Sequence, residues 1–272
     1  MNKKLLLVVV ILTALALTGS ALALAPMGTP TAGLKTGQIR AGVDYSISQQ
    51  DIKADWGDSY IEVWKNVQSN IFAANLGYGI TDDWEVFTRL GAANAGFNEY
   101  THENSTYDWD VSGNYDIFYG FGTKVTWAKQ ENIDWGALFQ IHWLNSKNTW
   151  QNSGTTSAGE GTINWTQKET LKISSYEIQV AVGPTWKAGE NISIYGGPFL
   201  HFLSGNAEYN YREVDDGSLA DYEHDTIKLE QKSVFGGYVG AQFDLSKGAS
   251  LYGEFQLTGD GWAFGTGLGW KL

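Results

Sequence analysis

The sequence predicts an all-β protein: a closed antiparallel up-and-down transmembrane β-barrel of about ten strands, or twelve if a long connection hides a further hairpin. Three observations lead there. Segments of about ten residues alternate large apolar residues with small or polar ones, the period of a strand between two different environments. The connections between them are alternately short and long. Aromatic residues on the apolar face gather at both ends of the segments, bracketing an aliphatic band as at a hydrocarbon slab.

The chain opens with a short basic stretch, Asn2-Lys3-Lys4, an apolar run from Leu5 to Leu17, and Ala21-Leu22-Ala23 as a small-residue cleavage site. Residues 1–23 read as a secretory signal peptide, the run being too short for a spanning helix. Cleavage is expected after Ala23, because cutting after Ala25 would leave Pro26 behind the scissile bond. No cysteine follows, so a lipid-modified N-terminus is excluded. Residues 24–35 read as a periplasmic N-terminal segment and 36–272 as the barrel.

Composition narrows the function. A chain with no cysteine has neither a disulfide scaffold nor a thiolate metal site. Removing Lys3 and Lys4 leaves 16 basic residues against 30 acidic ones, a net charge of −14, which argues against nucleic acid as a partner. The same charge suits a surface whose neighbours supply cations.

The strands follow in order. Ile39, Ala41, Val43, Tyr45 and Ile47 share one face; Phe72, Ala74, Leu76, Tyr78 and Ile80 the next; then Trp84, Val86, Thr88 and Leu90. Ile117, Tyr119, Phe121, Val125 and Trp127 follow, then Trp135, Ala137, Phe139, Ile141 and Trp143, then Tyr176, Ile178, Val180, Val182 and Trp186. Further strands lie near 192–203, 233–245, 250–258 and 262–272. Four connections are short: 81–83, 128–132, 187–191 and 246–249. Four are long and polar, near 49–69, 94–114, 145–172 and 204–231; if one of them hides a further hairpin, 162–178 is the place for it. Within 145–172, residues 152–162 read as a flexible exposed loop. An even strand count returns both termini to the periplasmic side.

One aromatic girdle comprises Tyr78, Trp84, Trp127, Trp135, Trp186 and Trp270, the other Tyr45, Trp143, Tyr176, Phe202 and Trp262. A water-soluble barrel would turn its apolar face inward and would not need two rings.

The final strand, "GWAFGTGLGWKL", sets Trp262, Phe264, Leu268, Trp270 and Leu272 on one face and Ala263, Gly265, Gly267 and Gly269 on the other. With the signal peptide and the alternating strands, this ending resembles bacterial outer-membrane β-barrel proteins, although Leu272 stands where Phe is more usual. The resemblance implies an integral place in the cell outer membrane. It also implies contact with outer-membrane lipid and lipopolysaccharide, and recognition of the last strand by the outer-membrane assembly machinery.

The inward positions carry Arg40, Asp44, Glu85, Arg89, Asp116, Lys124, Glu177, Asp244 and Glu254. Buried charges persist when paired, so an interior ion-pair network is expected, with a charged constriction as its alternative. A ten-stranded wall is close to the size that side chains fill, and inward Phe87, Phe118, Tyr195, Phe199, Tyr238 and Tyr252 occupy more of the space. Any lumen is therefore narrow. His142 and His201, also inward, read as hydrogen-bonded lumen residues.

Asp108-Trp109-Asp110 and His224 resemble parts of the omptin proteases, but Tyr222 stands where the residue orienting the imidazole should be an aspartate. No Gly-x-Ser-x-Gly elbow or His-Glu-x-x-His spacing appears, and no catalytic residue is assigned. No cofactor is expected. Asp215, Asp216, Asp221 and Asp225 form a candidate divalent-cation site in an acidic external loop. The function expected is that of a structural or surface-interaction barrel that passes at most small solutes. A general porin and an omptin-like hydrolase are its alternatives.

Overall fold

The computed structural model describes residues 24–57, 60–103, 105–158, 161–245 and 248–272; the predicted signal peptide lies outside them. Twelve strands follow one another: β1 (Ile39–Asp55), β2 (Ile61–Thr81), β3 (Trp84–His102), β4 (Ser105–Ser112), β5 (Asn114–Lys129), β6 (Ile133–Ala158), β7 (Gly161–Gly189), β8 (Ile192–Asp215), β9 (Ser218–Gln231), β10 (Phe235–Asp244), β11 (Ala249–Thr258) and β12 (Gly261–Lys271). All pairings are antiparallel. Ten of the strands close a ring, with β12 returning to β1 through Arg40↔Lys271 to Gln50↔Gly261 and β8 pairing directly with β10.

The two remaining strands lie outside that ring of ten. β4 folds back on the upper part of β3. β9 stands above the β10–β12 hairpins. β8 pairs β10 as far as Leu200 and β9 from Ser204, while β1 leaves β12 at Gln50 and meets Gln231 of β9 at Ile52. β9 thus continues the wall where the shorter strands stop.

Three sequence expectations change here. The four long polar loops are mostly strand. The additional strands lie within 94–114 and 204–231, whereas 162–178 belongs to the continuous β7. Residues 152–162 lie at the end of the β6–β7 hairpin, whose pairing reaches Ala158↔Gly161, and Asn152, Ser153, Thr155, Thr156 and Thr162 are exposed there.

The reason is a reversal of polarity along single strands. In the lower part of β7, Tyr176 and Val182 are exposed on the outer face while Glu177 and Gln179 are buried inside; above Tyr176 the outer face carries Ser174 and Lys172, and the inner face Ile173 and Leu171. β8 does the same: Leu200 and Phe202 face outward over buried His201, then Asn206 and Glu208 face outward over buried Leu203 and Ala207. The period of two persists, but the apolar set changes face. β-bulges help: Asn66, at φ 49°, lies where β1 and β2 shift register, and above it the even-numbered Glu62 and Trp64 turn inward.

The lower outer face is apolar all round, with Phe72, Leu76, Leu90, Phe121, Phe139, Val182, Val239 and Leu257 exposed. All six aromatics assigned to the short-turn girdle are 40–55 % exposed. Ile47 and Phe264 share this face yet are buried, since they are paired with each other beside the stacked rings of Phe255 and Trp262. In water each such exposed side chain forgoes about 1.5–3 kcal/mol of burial. The upper interior, by contrast, is an apolar core. Trp64, Phe97, Val67, Ile52, Leu171, Ile173, Leu203, Ile227 and Leu229 pack together, with Trp109 edge-on to Trp64 and Phe97 and in ring contact with Tyr209 across the barrel.

Candidate functional site: the barrel lumen

The lower lumen is filled from two sides. From within, residues 24–36 run through the barrel and do not hang below it. Leu24, Ala25, Met27 and Leu34 are buried. The segment is tied to the wall by hydrogen bonds at many levels. The Leu24 N–H donates to Ser48 Oγ at 3.0 Å, Met27 N–H to Glu254 Oε1 at 2.8 Å and Gly28 N–H to Glu254 Oε2 at 2.7 Å. Lower down, Ala32 N–H donates to Thr126 Oγ1 and Gly33 N–H to Glu85 Oε2, and Thr36 N–H reaches Asp82 in the β2–β3 turn. Backbone groups inside a barrel have no strand partner of their own, so the wall side chains supply it.

The wall supplies a charge network. Arg89 Nε lies 3.1 Å from Asp44 Oδ2, and Asn75 Nδ2 donates to the same carboxylate. Arg40 Nη2 pairs with Glu85 Oε1. From Arg89 Nη1 the chain of hydrogen bonds passes to Gln140 Oε1 (3.1 Å), from Gln140 to Gln179, from Gln179 Nε2 to Gln256 Oε1 (3.0 Å), and from Gln256 Nε2 to Glu254 Oε1 (2.8 Å). It crosses from β3 through β6 and β7 to β11. Glu177 sits between two buried histidines, with His201 Nε2 at 3.1 Å and His142 Nδ1 at 3.9 Å.

Glycines make room for inward rings. A Cβ on Gly240 would stand 2.3 Å from the ring of Tyr195, and one on Gly267 would stand 2.4 Å from the ring of Tyr252. The apolar-and-glycine alternation of the last strand therefore has two causes, exposure on one face and ring packing on the other. Between Arg40, Asp44, Phe87, Arg89, Lys124 and Tyr252 remains a cavity of about 50 Å³.

The seven charges Arg40, Asp44, Glu85, Arg89, Lys124, Glu177 and Glu254 all face this interior. Asp116 and Asp244 do not: both are exposed, Asp116 because a bulge between Tyr115 and Phe118 turns it out, Asp244 because β10 ends there. Residues 24–36, of which 24–35 read from the sequence as a periplasmic segment, and the glutamines at 140, 179 and 256 are the further parts of this interior.

The solved barrels to which this chain is similar are outer-membrane proteins. No family model matches the sequence, and no curated protein does. The outer-membrane protease OmpT of Escherichia coli aligns at 11 % identity and TM-score 0.47, over 86 % of this chain and 97 % of its own. An outer-membrane channel from Pseudomonas putida F1 aligns at 14 % identity and TM-score 0.38, over 92 % and 100 %. Ail, the attachment invasion locus protein of Yersinia pestis, aligns at 14 % identity and TM-score 0.25, over 87 % and 99 %. The barrel itself rests on the strand pairing described above.

The outer candidates do not assemble. Asp108 and Asp110 are exposed on β4 while Trp109 between them points into the upper core, and His224 is exposed on β9 against Asn210. The acidic stretch is strand, so Asp215 and Asp216 end at the β8–β9 turn while Asp221 and Asp225 lie about 13 Å apart along β9. Among the described residues no three His, Asp or Glu side chains converge on a common metal position.

Proposed function

We propose that the protein is a closed outer-membrane barrel that anchors an elevated surface extension. The observation that carries this reading is the reversal of polarity along β7 and β8. An apolar exterior over a polar interior suits strands immersed in lipid, and a polar exterior over an apolar interior suits strands in water. About ten residues span a bilayer as a strand, whereas β7 has 29, so the wall rises well beyond the belt. Lipid and lipopolysaccharide would meet the belt, and the assembly machinery would meet β12. Lys35 and the C-terminus would lie on the periplasmic side with the short turns, whereas cleavage after Ala23 would leave Leu24, the new N-terminus, inside the lumen beside Ser48. The extension, with exposed Tyr107, Leu219 and Tyr222 among its acidic residues, is the surface offered to partners.

The segment 24–36 and the apolar core above it close the lumen at two levels, which favours an anchor over a porin. Because the chain has no cysteine, single introduced cysteines test the orientation directly. On intact cells a membrane-impermeant maleimide should label Asn206→Cys, should spare Leu76→Cys, and should reach Asp83→Cys only after permeabilisation. Equal labelling at residues 76 and 206 contradicts the membrane boundary drawn here.

A further inference from the structure

Lys124 stands on the inner face of β5, directly opposite Glu85 of β3, and is more than nine-tenths buried. The two acids that would pair with it are otherwise engaged. Glu85 gives Oε1 to Arg40 and Oε2 to the Gly33 N–H; Glu254 gives Oε1 to Met27 N–H and Gln256, and Oε2 to Gly28 N–H. Among the described residues Lys124 has neither an ion pair nor a hydrogen bond. Its near neighbour is the Phe87 ring, 5.5 Å away. The N-terminal segment caps both carboxylates with backbone N–H groups, and Glu85 and Glu254 act on this ammonium at longer range, without a direct hydrogen bond. Gly28, at φ +69°, passes beside it: a Cβ there would sit 3.1 Å from Nζ.

Lys124 lines the cavity of about 50 Å³ together with Arg40, Arg89 and Tyr252. Asp44 is the one carboxylate on its surface, and both its oxygens already accept from Asn75, with Arg89 Nε beside Oδ2. The cavity thus sets the charged donors of Lys124, Arg40 and Arg89 against one engaged carboxylate and the neutral polar side chains of Thr29, Asn75, Gln242 and Ser250. A buried ammonium with no hydrogen-bond acceptor in direct contact is unfavourable, and an anion in the cavity beside it lowers that cost. Space for about one to two waters fits a small oxyanion and excludes a sugar acid. We propose that the lumen holds a binding site for a small monovalent oxyanion, of formate or nitrate size, built by Lys124, Arg40, Arg89 and Tyr252 beneath the N-terminal segment. The site does not depend on whether the barrel conducts.

The test is thermal unfolding of the folded full-length protein in detergent, followed by loss of the compact species on a gel. Sodium formate replaces sodium gluconate at constant ionic strength. The midpoint should rise with formate and saturate, and Lys124→Gln should abolish the rise. Should Lys124→Gln fail to fold, Tyr252→Phe carries the test: losing one hydroxyl donor should raise the half-saturating formate concentration by about threefold or more. A wild-type midpoint indifferent to formate overturns the proposal, and so does an unchanged rise and half-saturation in the variants, which would mark a general salt effect.

Discussion

Arg89 of β3 reaches across β2 to Asp44 of β1, Nε to Oδ2 at 3.1 Å, and both side chains are buried. The pair joins three strands of the wall through Asn75, which donates to the same carboxylate, and it begins the hydrogen-bond chain that ends at Glu254. Removing one partner strands the other charge in the interior. Arg89→Gln should therefore destabilise the folded barrel by about 3–5 kcal/mol. Arg89→Gln with Asp44→Asn should recover most of that loss. Denaturant titration of vesicle-refolded protein measures both, and equal losses in the single and double variants would show that the ion pair is not what braces the wall.

The ring-over-glycine contacts predict a paired effect. Gly240→Val must push the ring of Tyr195 out of its place, and overpacking of this kind costs about 1–3 kcal/mol. Adding Tyr195→Ala should restore part of the loss. If Tyr195→Ala only adds to it, the ring does not depend on that glycine.

At the foot of the extension, Asp51 accepts from Lys65 Nζ, Lys232 Nζ and the Asn66 N–H, where β1 passes from β12 to β9. Burial alone would raise its carboxyl, but these three donors outweigh that and hold it below the usual aspartate range. A carboxyl depressed on folding contributes stability above the unfolded-state value, and that contribution is lost as pH falls through the folded-state value. The wild-type extension should therefore become more protease-sensitive as pH drops below the ordinary aspartate range, while Asp51→Asn should lack this step and be weaker already at neutral pH. Parallel pH profiles for the two proteins would remove Asp51 from the account.

On the proposed reading the lumen is closed twice, so opening it once should not be enough. A chain refolded from Lys35 onward lacks the segment that caps Glu85 and Glu254 and should unfold at a lower temperature. It should nevertheless remain electrically silent, because Trp64, Phe97 and Leu229 still fill the upper interior. Conductance in that variant would show that the upper core is not a seal.

The lower half of the barrel is legible in the sequence because an apolar outer face over a polar lumen writes a clean alternation into residues such as Leu76, Tyr78 and Ile80. The upper half keeps the period but turns it over at bulges such as the one by Asn66, so Ile173, Leu203 and Trp64 look like scattered apolar residues in polar loops. Asp116 was misplaced by a bulge of the same kind. The inward charges stand out by type alone, whereas Gln140, Gln179 and Gln256 carry no charge to draw attention. The segment 24–36, rich in Ala, Pro, Gly and Thr, reads as a linker because its partners are wall side chains far along the chain, Glu254 above all.

The central claim is that this barrel is shut. Single-channel recording in a planar bilayer, on full-length protein shown to be folded by its compact gel mobility, tests that most directly. The account predicts silence at moderate voltage. Steady, reproducible conductance steps would contradict it and would make the charged lumen a permeation path.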